Sequence, residues 1–301
     1  MDATTFHAAR RFVTTSFGRI AYVERGAGPA ALFLHGVPLN GFHWRHALER
    51  LSDVRRCIAL DLMGLGWSDV SATQDLSFTA QARMVAEVLD ALGVDDVDLV
   101  ANDSGGAVAQ LFAVRDPARV RTLVLTNCDV HDNWPSAALA ATMDACREGL
   151  LGPLLHRLVG DVDLARSPAG LGVCYADPAT ITPETLATYL RPLVADAHRM
   201  TNLHRYFLAF DCRQTVAIES ALRALTVPTL VAWGTDDVFF DVRWAHWLGD
   251  AIPGVTKVVE LPGRRLFFPE EEPALMESLL REHWAAGRTD ARRELHANSG
   301  S

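Results

Sequence analysis

Asp103 stands in the run VDLVANDSGGAVAQ (97–110), where an apolar strand pattern passes abruptly into a helical one, with Ala101 and Gly105 two positions away on either side. Small residues at both flanks are what a nucleophile elbow requires, because the backbone at the turn is strained and the helix must pass close to the strand it leaves. A carboxylate presented in this way can attack an electrophilic carbon to give an ester, or move a proton. Helix capping accounts for an aspartate here but not for the small residues on both sides. If Ser104 were the nucleophile, Asn102 would occupy one of the small positions, so Asp103 fits the pattern better.

Other side chains with chemical potential follow apolar runs in the same way. Asp237 ends PTLVAWGTDD (228–237), with Asp236 as the neighbouring alternative; the ordinary use of either is an Asx turn. TNCDVHDNWP (126–135) places His131 between Asp129 and Asp132 just after an apolar stretch. His35 lies in LHGVP (34–38), where a loop-holding role is the simpler reading.

These residues need a scaffold, and the chain supplies a repeating one. Strand patterns occur at 10–15, 19–25, 30–35, 57–61, 97–102, 121–127, 229–234 and 257–261, and helical patterns at 80–92, 105–115, 242–251 and 273–286. Two meandering strands followed by β–α units with fully apolar strands predict an α/β fold: an eight-stranded, mostly parallel sheet with helices on both faces. Ligands of such sheets bind beyond the carboxyl ends of the strands.

One stretch breaks the alternation. Residues 129–225 hold no convincing strand but several amphipathic segments, including 135–160 and 183–210. They predict a helical cap inserted after the sixth strand, with 1–128 and 226–301 forming the core. The tail RTDARRELHANSGS (288–301) reads as a frayed terminus or a cloning remnant.

Composition limits the partners. With 301 residues, 49% hydrophobic, one large core with an insertion is expected. The net charge of −9, with Lys257 the sole lysine, argues against nucleic acid or an anionic membrane and for a small-molecule substrate. The N-terminus lacks the apolar core of a signal peptide and no run approaches the ~18 apolar residues of a membrane helix, so a cytoplasmic protein is expected. Five scattered cysteines without CxxC pairing predict free thiols rather than disulfides or zinc; no metal and no cofactor is expected.

At this point the chain resembles the α/β-hydrolase superfamily, in particular its aspartate-nucleophile branch of haloalkane dehalogenases and epoxide hydrolases. The resemblance spans about residues 10–286 and rests on LHGVP (34–38), DLMGLGWSD (61–69), ANDSGG (101–106) and PTLVAWGTDD (228–237). It implies Asp103 as nucleophile, the backbone N–H groups of Val37 and Ser104 as oxyanion hole, and Asp237 as catalytic acid. It also suggests His35, Trp134, Tyr175, Tyr206 and Arg265 as substrate-binding residues, with Tyr189 and Phe207 as further walls. Each of these aromatic residues has ordinary packing as its plainer explanation.

Two departures from the family stand out. Ser104 follows the nucleophile where dehalogenases typically have a tryptophan, and Val37 replaces a common asparagine, so halide stabilisation is poorly equipped. In ELPGRRLFFPEEEP (260–273), the family's Pro-Gly-x-x-His register gives Leu266 in place of the histidine that activates water. Arginine cannot substitute, since it offers no lone pair. Either another histidine serves, with His131 as first candidate ahead of His246, or Asp103 works in non-hydrolytic acid/base chemistry, or the pocket binds without turnover. Arg264 and Arg265 read first as surface ion-pair partners of Glu270–Glu272 and second as ligands for a substrate carboxylate or Asp237.

Overall fold

The computed structural model describes the backbone of residues 1–298 and the side chains through residue 286. Eight strands form one sheet: β1 (Arg10–Thr15), β2 (Gly18–Arg25), β3 (Ala30–Leu34), β4 (Arg56–Leu60), β5 (Val97–Asp103), β6 (Val120–Cys128), β7 (Thr229–Gly234) and β8 (Val255–Leu261). The spatial order is β1-β2-β4-β3-β5-β6-β7-β8; β1–β2 and β2–β4 pair antiparallel and every other pair is parallel.

Strands β3, β5 and β7 are buried at every position, as strands covered by helices on both faces must be, and the charged Asp98 within β5 is paired with Arg55 at 2.6 Å. β8, at the sheet edge, has no fully buried position, and its sequence VTKVVEL mixes charged with apolar residues accordingly. The helix Phe78–Ala91 is started by Ser77, whose side chain accepts from the Ala80 amide. Two short helices, Ala3–Ala8 and Arg45–Leu51, have too few turns for their periodicity to stand out in the sequence.

Among the described residues the connection from β6 to β7 contains helices and no strand. The apolar pattern of 135–160 is divided into Ala140–Arg147 and Leu151–Gly160, with Gly149 at φ 72° between them. The pattern of 183–210 is divided likewise into Pro183–Leu190 and Ala197–Leu208, because Pro192 cannot continue a helix. The C-terminal helix Pro273–Asn298 runs on through most of the segment expected to fray; residues 299–301 lie outside the described ones.

Four consecutive neighbours in the sheet carry the candidate site residues. Asp103 ends β5, Asp129 follows β6, Asp237 lies three residues beyond β7, and the Leu266 loop follows β8. All therefore sit at the carboxyl edge, where parallel sheets bind ligands.

Candidate active site

Asp103 adopts φ 55°, ψ −135°, a positive φ that a non-glycine residue holds only where its surroundings enforce it. The enforcement is close packing. A Cβ at Gly105 would lie 2.5 Å from the His35 carbonyl oxygen, and one at Gly36 would collide with the Asp103 carboxylate itself. The Ser104–Arg115 helix begins directly after the turn, so its N-terminal amides face the carboxylate. The N–H groups of Ser104 and Val37 both donate to it.

Burial nevertheless dominates the electrostatics. Desolvation pushes the Asp103 carboxyl up to about 8, the two N–H donors pull it down, and the charge of Asp237 adds to the rise. Burial likewise pushes Asp237 up to about 7, although the residue as a whole is only half-buried. Its carboxylate accepts from Asn127 Nδ2 at 2.8 Å and from the Phe239 amide at 2.8 Å. Asn127 is fixed in turn by two bonds to the Gly234 backbone. Asp236 instead closes its own turn, accepting from Thr235 Oγ1 and the Gly263 amide, so Asp237 is the acid that faces Asp103.

Asp103 opens onto a cavity of about 370 Å³ whose walls are mostly apolar. Leu151, Leu154, Leu155 and Leu158 contribute to the wall from a single helix face, and Phe207, Phe210, Phe239, Phe240 and Leu266 add further apolar surface. Asp129 is the second carboxylate in this wall. Burial, with the charge of Asp103, holds its carboxyl well above the usual carboxylate range. Among the described residues no histidine and no cation lines the cavity. Nor does any group of three or more His, Cys, Asp or Glu side chains form a cage suited to a metal ion.

The residues expected as substrate contacts are placed elsewhere. His35 uses both ring nitrogens for the loop: Nδ1 donates to the Gly36 carbonyl at 2.8 Å and Nε2 accepts from the Leu62 amide at 3.1 Å. Burial lowers it to about 3, so the ring is neutral. Trp134 donates to Thr215 Oγ1 at 2.7 Å and stacks on Phe78. The Tyr175 and Tyr189 hydroxyls donate to Glu270 at 2.7 and 2.9 Å, in a buried cluster with Arg45 and His43. Tyr206 shares a 2.9 Å hydrogen bond with Ser104 Oγ beneath the cavity wall. Arg265 Nη1 donates to the Val173 carbonyl at 3.3 Å, and its charge reaches Asp237 only at longer range. None of these side chains lines the cavity; Phe207 does.

His131, the expected substitute base, is also turned away. Its ring lies against Trp244 and Trp247, with Nε2 3.1 Å from Glu219 and Nδ1 3.2 Å from Asp132. His246 pairs with Glu260 at 3.1 Å on an exposed helix face. Arg264 pairs with Glu272 at 2.7 Å, the surface ion pair of the simpler reading. Leu266, by contrast, is in the site: its side chain lines the cavity and its carbonyl accepts from Asn102 Nδ2 at 3.0 Å, which ties the β8 loop to the elbow.

Sequence reasoning passed over Asp129 except as a companion of His131. The signal it left was its position directly after a strand that is buried at all but one position. The four leucines have the i, i+3, i+4, i+7 spacing of any core-facing helix, so their spacing could not distinguish a cavity wall from packing.

The chain belongs to the alpha/beta hydrolase fold family, which it matches over residues 29–272. Its relatives include haloalkane dehalogenase 2 of Mycobacterium tuberculosis, 30% identical over 284 residues, 90% of this chain and 93% of that protein. A cis-3-alkyl-4-alkyloxetan-2-one decarboxylase of Shewanella oneidensis is 28% identical over 258 residues, covering 80% of this chain and 79% of the other. Epoxide hydrolase 4 of Mus musculus is 25% identical over 292 residues, 92% of this chain and 78% of that one. No helix among the described residues is long and apolar enough to cross a membrane.

Proposed function

We propose that this chain is an enzyme whose Asp103 attacks a small, mostly apolar electrophile, an epoxide or a carbon–halogen bond, with a base other than the histidine typical of its relatives. The observation that carries the reading is the Asp103 carboxylate itself: held at positive φ by the elbow, hydrogen-bonded by the Val37 and Ser104 amides, and opening into the apolar cavity. Residues 129–225 serve as the cap, since much of the cavity wall comes from them. Asp237 acts as the site's remote acid, and Leu266 fills the place of the missing histidine. The enzyme works in the cytoplasm and needs no cofactor.

A second reading is favoured by the raised affinity of Asp103 for its proton and by the absence of a histidine from the cavity wall. In it, Asp103 is a general acid/base in a lyase, isomerase or cyclase reaction. The relative named for decarboxylating an oxetanone, a strained ring opened without addition of water, supports this option.

Terminal epoxides and haloalkanes, followed by intact-protein mass spectrometry, test the first reading through an ester on Asp103. Over many turnovers, diol or alcohol carrying heavy oxygen from labelled water supports hydrolysis, the first turnover delivering an original Asp103 oxygen; product that never gains the label supports the second reading. Ligand binding with neither adduct nor conversion would leave a catalytically inactive binding protein.

A further inference from the structure

Asp129 has no assigned task in the site, yet its placement is unusual for a structural residue. Its Oδ2 is buried without a hydrogen-bond partner, a costly state for a carboxyl that only fills space. The residue lines the same cavity wall as Asp103. The two come from adjacent parallel strands: Asp103 pairs in register with Cys128, and the Asp129 amide donates to the Asp103 carbonyl at 3.4 Å. Asp103 from β5, the Cys128 thiol on its own strand and the Tyr206 hydroxyl from the Ala197–Leu208 helix are the titratable groups whose charges couple with it. The Asp129 proton is held more tightly than in solvent, by burial first and by the neighbouring Asp103 charge second, so Asp129 keeps its proton when Asp103 ionises.

We infer that Asp129 is the second catalytic residue of this site, the proton donor and then the general base for opening an epoxide on Asp103. The inference rests on the reading of Asp103 as nucleophile. In the first step the Asp103 carboxylate forms a bond to an epoxide carbon, the ring C–O bond breaks, and the Asp129 carboxyl gives its proton to the departing oxygen. Having given up its proton, Asp129 is a carboxylate whose burial raises its affinity for a proton, and this makes it a base toward water in the next step. In the second step Asp129 takes a proton from water, and the hydroxide oxygen adds to the Asp103 ester carbonyl. The intermediate collapses with loss of the alkoxide, which takes the proton left on the added oxygen. Diol, Asp103 carboxylate and protonated Asp129 result, and the cycle closes.

The chemistry of this pair selects an epoxide over a haloalkane. A departing halide takes no proton, whereas an opening epoxide needs one. The cap tyrosine nearest the elbow, Tyr206, already spends its hydroxyl on Ser104 Oγ.

The test uses 1,2-epoxyoctane with the wild-type chain, Asp129→Asn and Asp103→Asn in heavy-oxygen water. Wild type is expected to form labelled diol. Asp129→Asn should form it at least about 100-fold more slowly, the lower range for loss of a general acid/base, and should retain an epoxide-derived ester on intact mass analysis. Asp103→Asn should show neither product nor ester. A folded Asp129→Asn protein that matches wild-type turnover overturns the role of Asp129 and leaves Asp103 as nucleophile. No ester and no diol in wild type overturns both. Should Asp129→Asn fail to fold, the wild-type profile decides: kcat/KM must be bell-shaped with pH, since one carboxylate and one carboxyl are required, and a single-limbed profile overturns the pair.

Discussion

The Asp129 amide donates to the Asp103 carbonyl at 3.4 Å, so the two acidic residues at the ends of β5 and β6 are held together by backbone rather than by mobile side chains. Their separation is thus a property of the sheet register. With Asp237 beyond the next strand, close enough for its charge to act on Asp103, three carboxyl groups gather at this sheet edge, and among the described residues no cation lines the cavity.

That convergence predicts an inverted pH dependence of stability. Asp103 and Asp237 bind their protons more tightly folded, at about 8 and about 7, than at the ordinary value of 3.8. Between about pH 4 and pH 8 the native state therefore holds protons the unfolded chain has released, and stability falls as pH rises through this window. Thermal melts at pH 5 and pH 8 should show the higher midpoint at pH 5. Asp103→Asn, neutral at both, should shrink the difference and melt higher than wild type at pH 8. Equal slopes in the two proteins would refute the burial account.

Leu266→His places an imidazole where the cavity wall is now apolar, in the same wall as Asp103. Leu266 is only 3% exposed, so the polar ring should cost about 1–3 kcal/mol of stability. Breakdown of an ester on Asp103 should accelerate by at least about tenfold, given what a positioned base contributes. Single-turnover mass spectrometry with a terminal epoxide measures both steps; an unchanged ester lifetime would show that Leu266 does not face the reacting carbonyl.

Tyr206→Phe removes the partner of Ser104 Oγ at the start of the helix that follows Asp103. Losing one buried hydrogen bond should lower stability by about 1–2 kcal/mol in urea unfolding. The rate of ester formation should change by less than about threefold, well below the loss expected for a general acid. A loss of a hundredfold would mean that the hydroxyl leaves Ser104 to protonate the substrate.

Glu270 tests a buried ionic cluster away from the cavity. Burial raises its carboxyl, but Arg45, with His43 and the Tyr175 hydroxyl, outweighs burial and holds it below the ordinary range. Its stabilising contribution is present above about pH 4.5 and is lost as pH falls toward the depressed folded value. Glu270→Ala should cost about 3–5 kcal/mol, since the Arg45 charge is left buried without its partner. Denaturant unfolding at pH 7 measures it. A cost under about 1 kcal/mol would show that Arg45 finds solvent instead.

Much of the architecture was legible because it is written in local periodicity. All eight strands lie where the apolar runs place them, and the core helices between them agree to within a few residues except at the extended C-terminal one. The helical stretch between β6 and β7 was legible for the same reason, but its breaks at Gly149 and Pro192 were not. The substrate contacts proposed from residue type fared differently. An aromatic or cationic side chain has the same spelling whether it faces a cavity or a buried partner, as Tyr175 with Glu270 and Trp134 with Thr215 show.

By itself the sequence determined the elbow at Asp103, the acid at Asp237 and the leucine at position 266, because small neighbours, turn residues and strand ends are local requirements of the chain. Only the tertiary structure decided what surrounds them. It turned His131 toward Glu219 and away from the cavity, and it set Asp129 in the wall beside Asp103. The reason is physical: a side chain's partners are fixed by which strands pair and how the intervening helices pack over them, and residues distant in sequence carry no local mark of that encounter.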